Sequence, residues 1–223
     1  MALEITRDRP SVVLLHGLAR SPRAMHGLAD ALGAAGYVPH LIRYSTLAAS
    51  PQAAAAAVQA QLQDTFGTRP IFAVTHSLGG VLIRYLRKPL TWKRIVMLAP
   101  PNQGSAIARA VRTTVGSDVF ARLPAAAQLS TGRPTDWPYP PAPFAIIAGT
   151  RRPGVWHPAG WLGRLFLPTH EPSDGTVLVR ETRLSGAAAF ATVDATHTAI
   201  MDHPEAHRLA IAFLRDGALP TGA

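Results

Sequence analysis

Thr75-His76-Ser77-Leu78-Gly79-Gly80 follows directly on the apolar run Ile71-Phe72-Ala73-Val74 and leads into Val81-Leu82-Ile83-Arg84-Tyr85-Leu86. The first run has the character of a buried strand, and the last has the apolar spacing of a helix. A strand that turns sharply into a helix leaves its turn residue pointing out at the sheet edge. A serine there presents a strained, exposed hydroxyl, as a nucleophile must. The helix start adds backbone N–H groups and the positive end of a dipole beside any developing oxyanion. Gly79 and Gly80 allow helix and strand to approach closely behind the turn. The pattern is Gly-x-Ser-x-Gly with Thr75 in place of the first glycine. An ordinary tight strand-to-helix connection also fits the spacing; the strand before and the helix after favour the catalytic reading.

Outward from this turn, strand-like and helix-like segments alternate. Upstream, Ser11-Val12-Val13-Leu14-Leu15 is an apolar run of parallel-sheet type that ends in His16-Gly17-Leu18-Ala19-Arg20. Ser21-Pro22 opens a helical pattern (Met25, Leu28, Ala29, Leu32) that Gly36 stops. Tyr37 to Ile42 reads as a second strand, and Ser50-Pro51 caps a helix from Ala53 to Phe66, closed by Gly67. Downstream, the helix after Ser77 is expected to run to about Lys88, where Pro89 ends it. Arg94–Ala99 is the fourth strand, and 105–123 looks helical. The Pro-rich stretch 130–143 and the segment 150–173 read as irregular loops, with Phe144–Ala148 as the fifth strand between them. Ala189–Val193 is the sixth strand, and Asp202-x-x-Glu205 is a capping box for a last helix.

The expectation is a single α/β domain spanning 1–223, a mostly parallel sheet of about six strands with helices on both faces. In such sheets ligands bind beyond the carboxyl ends of the strands. His16-Gly17, Ser77, Gln103 and His197 all fall there.

Composition narrows the chemistry. The absence of cysteine removes disulfides, thiolate metal sites and a cysteine nucleophile together. No apolar stretch reaches the roughly 18 residues of a membrane span, and the start carries no secretory pattern, so a cytoplasmic protein is expected. The net charge of +9 invites a nucleic-acid partner, but the arginines are scattered and form no basic block, so none is expected. A basic surface that tolerates anionic substrates or lipid headgroups remains open.

A serine hydroxyl needs a base to take its proton and a carboxylate to hold that base. Of nine histidines, His197 stands just after the last strand and before the last helix, on the same sheet edge as Ser77. His203 and His207 fall on the final helix as surface residues, while His157 and His170 in the second long loop are weaker rivals. Asp174, in Ser173-Asp174-Gly175-Thr176-Val177, gives the chain order Ser, Asp, His. Asp194 competes from three residues before His197, and Asp136 is a third candidate. Backbone donors for an oxyanion are expected at Leu78, after the nucleophile, and at Leu18, after the first strand. His16 is expected to support its own loop rather than act as a base.

These pieces together resemble the α/β-hydrolase superfamily, and within it the small bacterial lipases and esterases without a large cap. The matching stretches are Leu15-His16-Gly17-Leu18, Thr75–Gly80, Pro100-Pro101-Asn102-Gln103-Gly104-Ser105, Ser173–Val177 and Ala195-Thr196-His197. The resemblance implies Ser77 as nucleophile, Asp174 and His197 as its triad partners, and Leu18 with Leu78 as oxyanion donors. It implies no cofactor. Some bacterial lipases of this kind have a calcium site supported by an Asp soon after the catalytic His. Here Thr198 and Ala199 follow His197, so no metal is carried over.

The expected activity is hydrolysis of a small-molecule or lipid carboxylic ester. Thioester or amide hydrolysis and acyl transfer use the same machinery, and a binding protein that has lost catalysis is the rival of another class. The loop 150–173, with Trp156, Trp161, Leu162, Leu165, Phe166 and Leu167, either lines an acyl pocket or lid, or buries itself on the sheet. Oligomeric state is left open by the sequence.

Overall fold

The apolar runs form six strands: β1 (Ser11–Leu15), β2 (Val38–Leu41), β3 (Pro70–His76), β4 (Thr91–Leu98), β5 (Phe144–Gly149) and β6 (Ala189–Val193). They make one sheet in the order β2-β1-β3-β4-β5-β6, with every neighbouring pair parallel. The structure is a computed structural model that describes residues 9–116, 122–131, 136–154 and 158–220, with backbone alone at 131, 158–160 and 162.

Side chains along a strand alternate between faces, and the core divides accordingly. Val12 and Leu14 of β1 join Val74, Val96 and Ile147 in one buried cluster, while Val13 and Leu15 join Ala73, Ile95 and Ile146 in the other. Helices α1 (His26–Ala34) and α8 (Pro204–Asp216) cover the first face, through Leu28, Leu32, Leu209 and Phe213. Helices α2 (Pro51–Phe66) and α3 (Leu78–Leu82) cover the second, through Val58, Leu62 and Leu82. Because both faces are buried, the strands need no polar alternation, which is why they read as continuous apolar runs.

Helix ends follow local chemistry. The Ser50 hydroxyl accepts from the Ala53 N–H at 3.2 Å with Pro51 in the first turn, as expected. The expected capping box at Asp202 does not form. A 3-10 turn takes up Ala199–Asp202, and α8 starts at Pro204 with His203 extended before it (φ −80°, ψ 122°). Proline favours the first helical position and pushes its predecessor out of the helical region, so the boundary shifts past Asp202. The helix after Ser77 is also shorter than expected, passing at Leu82 into one 3-10 turn, Ile83–Tyr85. Two glycines and a valine follow its first residue, Leu78, and are weak helix formers.

Above the carboxyl edge lie α4 (Ala106–Val115), α5 (Pro124–Thr131), α6 (Pro158–Phe166) and the single turn α7 (Val179–Thr182). Three expectations change here. The helical reading of 105–123 holds over α4, whereas 117–121 lie outside the described residues. Residues 130 and 131 belong to α5 rather than to a loop, and 132–135 lie outside the described residues. The segment 150–173 carries α6, which its glycines and proline masked in the sequence. Trp156 and His157 lie outside the described residues. No helix among the described residues is long and apolar enough to cross a membrane.

Candidate active site

Ser77, directly after β3, has a left-handed backbone conformation, φ 51° and ψ −119°. Such a conformation costs a non-glycine residue on the order of 1–3 kcal/mol and persists only where the surroundings over-determine it. Here they do. The Ser77 N–H donates to Leu98 O at 2.9 Å, and its carbonyl accepts from the Gly80 N–H at 2.8 Å. A Cβ on Gly79 would stand 2.3 Å from the Leu15 carbonyl oxygen, and one on Gly80 would stand 2.8 Å from Pro100 Cβ. Only glycines let the start of α3 sit this close to β1 and to the loop after β4. Thr75, the departure from Gly-x-Ser-x-Gly, is fully buried, and its hydroxyl donates to Val96 O at 3.4 Å.

His197 reaches this turn from the loop after β6. Its Nε2 lies 3.0 Å from Ser77 Oγ, and its Nδ1 lies 2.6 Å from Asp174 Oδ2. A carboxylate only accepts, so Nδ1 carries the proton and Nε2 offers its lone pair to the serine hydroxyl. Asp174 is nearly fully buried, and its other oxygen accepts from the N–H groups of Thr176 (2.9 Å) and Val177 (2.7 Å). The His197 N–H donates to the Asp174 carbonyl at 3.0 Å, which ties the two loops together by backbone as well. The structure thus brings Ser77, His197 and Asp174 into one chain of contacts.

The rivals stand elsewhere. Asp194 is exposed and lies 3.9 Å from Arg151 at the surface. Asp136 and His170 are exposed. The expected surface positions of His203 and His207 are corrected to half-buried ones, with the His207 ring bonded to Met201 O at 2.7 Å. Leu18 and Leu78 flank the serine, and among the described residues their N–H groups have no protein acceptor. Both leucines belong to an apolar cluster with Val81, Ala108, Ala125, Leu129 and Trp137.

Three buried polar residues stand around the site. His76 is fully buried, and its Nε2–H donates to the His197 carbonyl at 2.8 Å. Burial, and then the neighbouring His197 ring, hold its pKa well below the ordinary histidine value, so it stays neutral. His16 Nδ1 bonds the carbonyl of Gly17 at 3.1 Å and its ring stacks on Tyr44, whose hydroxyl donates to His16 O; burial lowers its pKa as well. Arg84, buried just past α3, donates to the carbonyls of Pro138 and Trp137 and to Asn102. Its guanidinium lies over the Trp137 ring, and burial pulls its pKa down to about 10. Sequence reading passed over His76 and Arg84. A charged residue amid an apolar helix pattern was the one signal Arg84 gave.

Comparison with solved structures decides the fold. The mature lipase BlEst2 of Bacillus licheniformis superposes with a TM-score of 0.72 at 21% identity, over 92% of this chain and 91% of that one. This is the α/β-hydrolase fold. An extracellular alpha/beta-hydrolase from a Paenibacillus species matches at TM-score 0.55 and 13% identity, covering 93% of this chain and 100% of that one. Carboxylesterase CesB of Bacillus subtilis matches at 0.54 and 17%, covering 95% and 86%. The α/β-hydrolase fold is thus shared with esterases and lipases at identities low enough that the likeness speaks for architecture alone. No family model matches the chain, and no curated protein is similar to it in sequence.

Proposed function

We infer that this chain is a serine hydrolase of carboxylic esters that works through an acyl-enzyme on Ser77. The observation that carries the reading is the continuous relay from Asp174 Oδ2 through His197 to Ser77 Oγ, at 2.6 and 3.0 Å. His197 Nε2 takes the hydroxyl proton as Oγ bonds the ester carbonyl carbon, and Asp174 stabilises the imidazolium that forms. The N–H groups of Leu18 and Leu78 receive the oxyanion of the tetrahedral intermediate. Collapse breaks the bond to the alkoxide, which leaves with the proton from His197. A water deprotonated by the same nitrogen then attacks the acyl carbon, and the acid departs with Ser77 restored. The apolar cluster around Leu18, Leu78 and Leu129 suits the carbon chain of an acyl group.

A fluorophosphonate probe and a short p-nitrophenyl ester test this together. The probe is expected to label Ser77, and Ser77→Ala is expected to lose labelling and ester turnover alike. A folded wild-type protein that takes up no probe would be a binding protein on this fold instead.

A further inference from the structure

Between α4 and α5 lies a cavity of about 540 Å³, lined by Arg109, Arg112, Thr113, Gly116 and Ser130. The volume is that of a small-molecule site. On α4 these residues recur at three- and four-residue spacing, so they form one stripe facing Ser130.

The charges in that stripe are unequal. Arg109 pairs with the buried Glu181 carboxylate at 2.9 Å. That carboxylate is itself held by the N–H groups of Ala106 (2.7 Å) and Leu178 (3.1 Å), so Arg109 is fixed and neutralised. Arg112 is half-buried, and among the described residues its guanidinium has no ion-pair or hydrogen-bond partner. Among the described residues no carboxylate lines the cavity. The wall hydroxyls spend their protons on main chain, Thr113 on Arg109 O (3.1 Å) and Ser130 on Ala127 O (2.7 Å). Among the described lining residues, the Arg112 guanidinium is therefore a charged donor free for a ligand, in the planar fork that suits a carboxylate or phosphate.

Position connects this cavity to the serine. Ala108 and Leu129 belong to the cluster that includes Leu18 and Leu78. Arg112 stands one helical turn beyond Ala108, and Ser130 directly follows Leu129. A ligand with its carbonyl at Ser77 and its chain laid over the partly buried members of the cluster, Leu18 and Ala108, would extend toward the helix turn that carries Arg112.

We propose that the substrate is an ester bearing a remote anionic group, carboxylate or phosphate, and that Arg112 in the cavity between α4 and α5 receives that group. The assignment rests on the hydrolase reading of Ser77 and adds the substrate class. The test is kcat/KM for two series of p-nitrophenyl esters, mono-esters of α,ω-diacids and esters of plain fatty acids, matched in length. An ω-phosphono series separates phosphate from carboxylate. At one chain length the anionic ester is expected to exceed its neutral match by about tenfold or more, the scale of one charge-assisted hydrogen-bonded contact. That ratio is expected to collapse in Arg112→Glu and to recover in part in Arg112→Lys. Equal turnover of matched esters by the wild type overturns the proposal, as does an Arg112→Glu protein that loses both series in proportion. Calorimetry with phenyl phosphate separates the two levels. If no ester is cleaved but the wild type binds phenyl phosphate and Arg112→Glu does not, the anion site stands and the hydrolase reading falls. If neither turnover nor binding is seen, both fall.

Discussion

The two layers at the carboxyl edge of the sheet are built differently. The inner layer, the turns that carry Ser77, Asp174 and His197, is held by main chain: Ser77 N to Leu98 O, Gly80 N to Ser77 O, His197 N to Asp174 O. The outer layer of α4, α5, α6 and residues 136–143 is more exposed. No residue of α4 is buried, and α6 exposes 59% of Trp161 and 75% of Leu165. Its inward contact is glycine on backbone: a Cβ at Gly163 would stand 2.0 Å from the Gly175 carbonyl oxygen. The turns that carry Ser77, Asp174 and His197 thus sit in a frame that backbone bonds fix, beneath a more exposed cover.

The sharpest way to break that contrast is to exchange the acids. Asp174→Asn keeps the shape of the inner layer but lets the amide nitrogen face Nδ1, favouring the wrong imidazole tautomer. We expect kcat for a p-nitrophenyl ester to fall roughly a thousandfold, about 4 kcal/mol of transition-state stabilisation. Asp194→Asn, at an exposed site 3.9 Å from Arg151, should leave kcat within about twofold. Reversed ranking would place the acid at residue 194.

The next test strikes where the outer layer is pinned. Arg84→Met removes the donors that satisfy the carbonyls of Trp137, Pro138 and Asn102 and leaves those groups buried. We expect a stability loss of about 3 kcal/mol in denaturant unfolding. Ester turnover per folded molecule should suffer far less than in Asp174→Asn. If Arg84→Met left stability unchanged, the pin would lie elsewhere.

A smaller effect comes from the neutral histidines behind the turn. His76 and His16 hold pKa values below the ordinary histidine value because burial disfavours their charged forms. The unfolded chain therefore binds more protons than the folded one once pH drops below about 6.5, and stability falls on acidification through that window. Each histidine contributes a slope of at most about 1.4 kcal/mol per pH unit. His76→Asn should flatten the profile between pH 7 and 5, as read from urea midpoints. An unchanged slope would mean that His76 charges without unfolding.

What could be read from the sequence follows the same division. Strands buried on both faces announce themselves as apolar runs, and a nucleophile turn needs small residues at fixed offsets, so β1–β6 and Ser77 were legible. Asp174 and His197 were legible as loop residues after the right strands, with rivals in view. The outer layer was legible at α4, whereas α6 contradicts its propensity. Helix α6 forms from Pro-Ala-Gly-Trp-Leu-Gly-Arg-Leu-Phe, whose two glycines argue against a helix while the packing of Gly163 on Gly175 selects one. Arg84 was equally opaque: two of its partners are carbonyls more than 50 residues away, and carbonyl positions leave no mark in a sequence.

The mildest prediction tests whether the outer layer is as loosely coupled as it looks. Leu165 projects from α6 opposite Gly163 and Leu167, with three quarters of its surface in water. An exposed leucine gives folding little, so Leu165→Ser should change the unfolding free energy by less than about 0.5 kcal/mol and leave short-ester turnover in solution intact. The same change in the inner layer, at a fully buried leucine such as Leu82, would remove core contacts and cost several kcal/mol. The informative quantity is the difference between these two substitutions, since both trade the same side chain for the same hydroxyl. Comparable losses would mean that α6 is braced into the frame that holds Asp174, and the two layers would then be one.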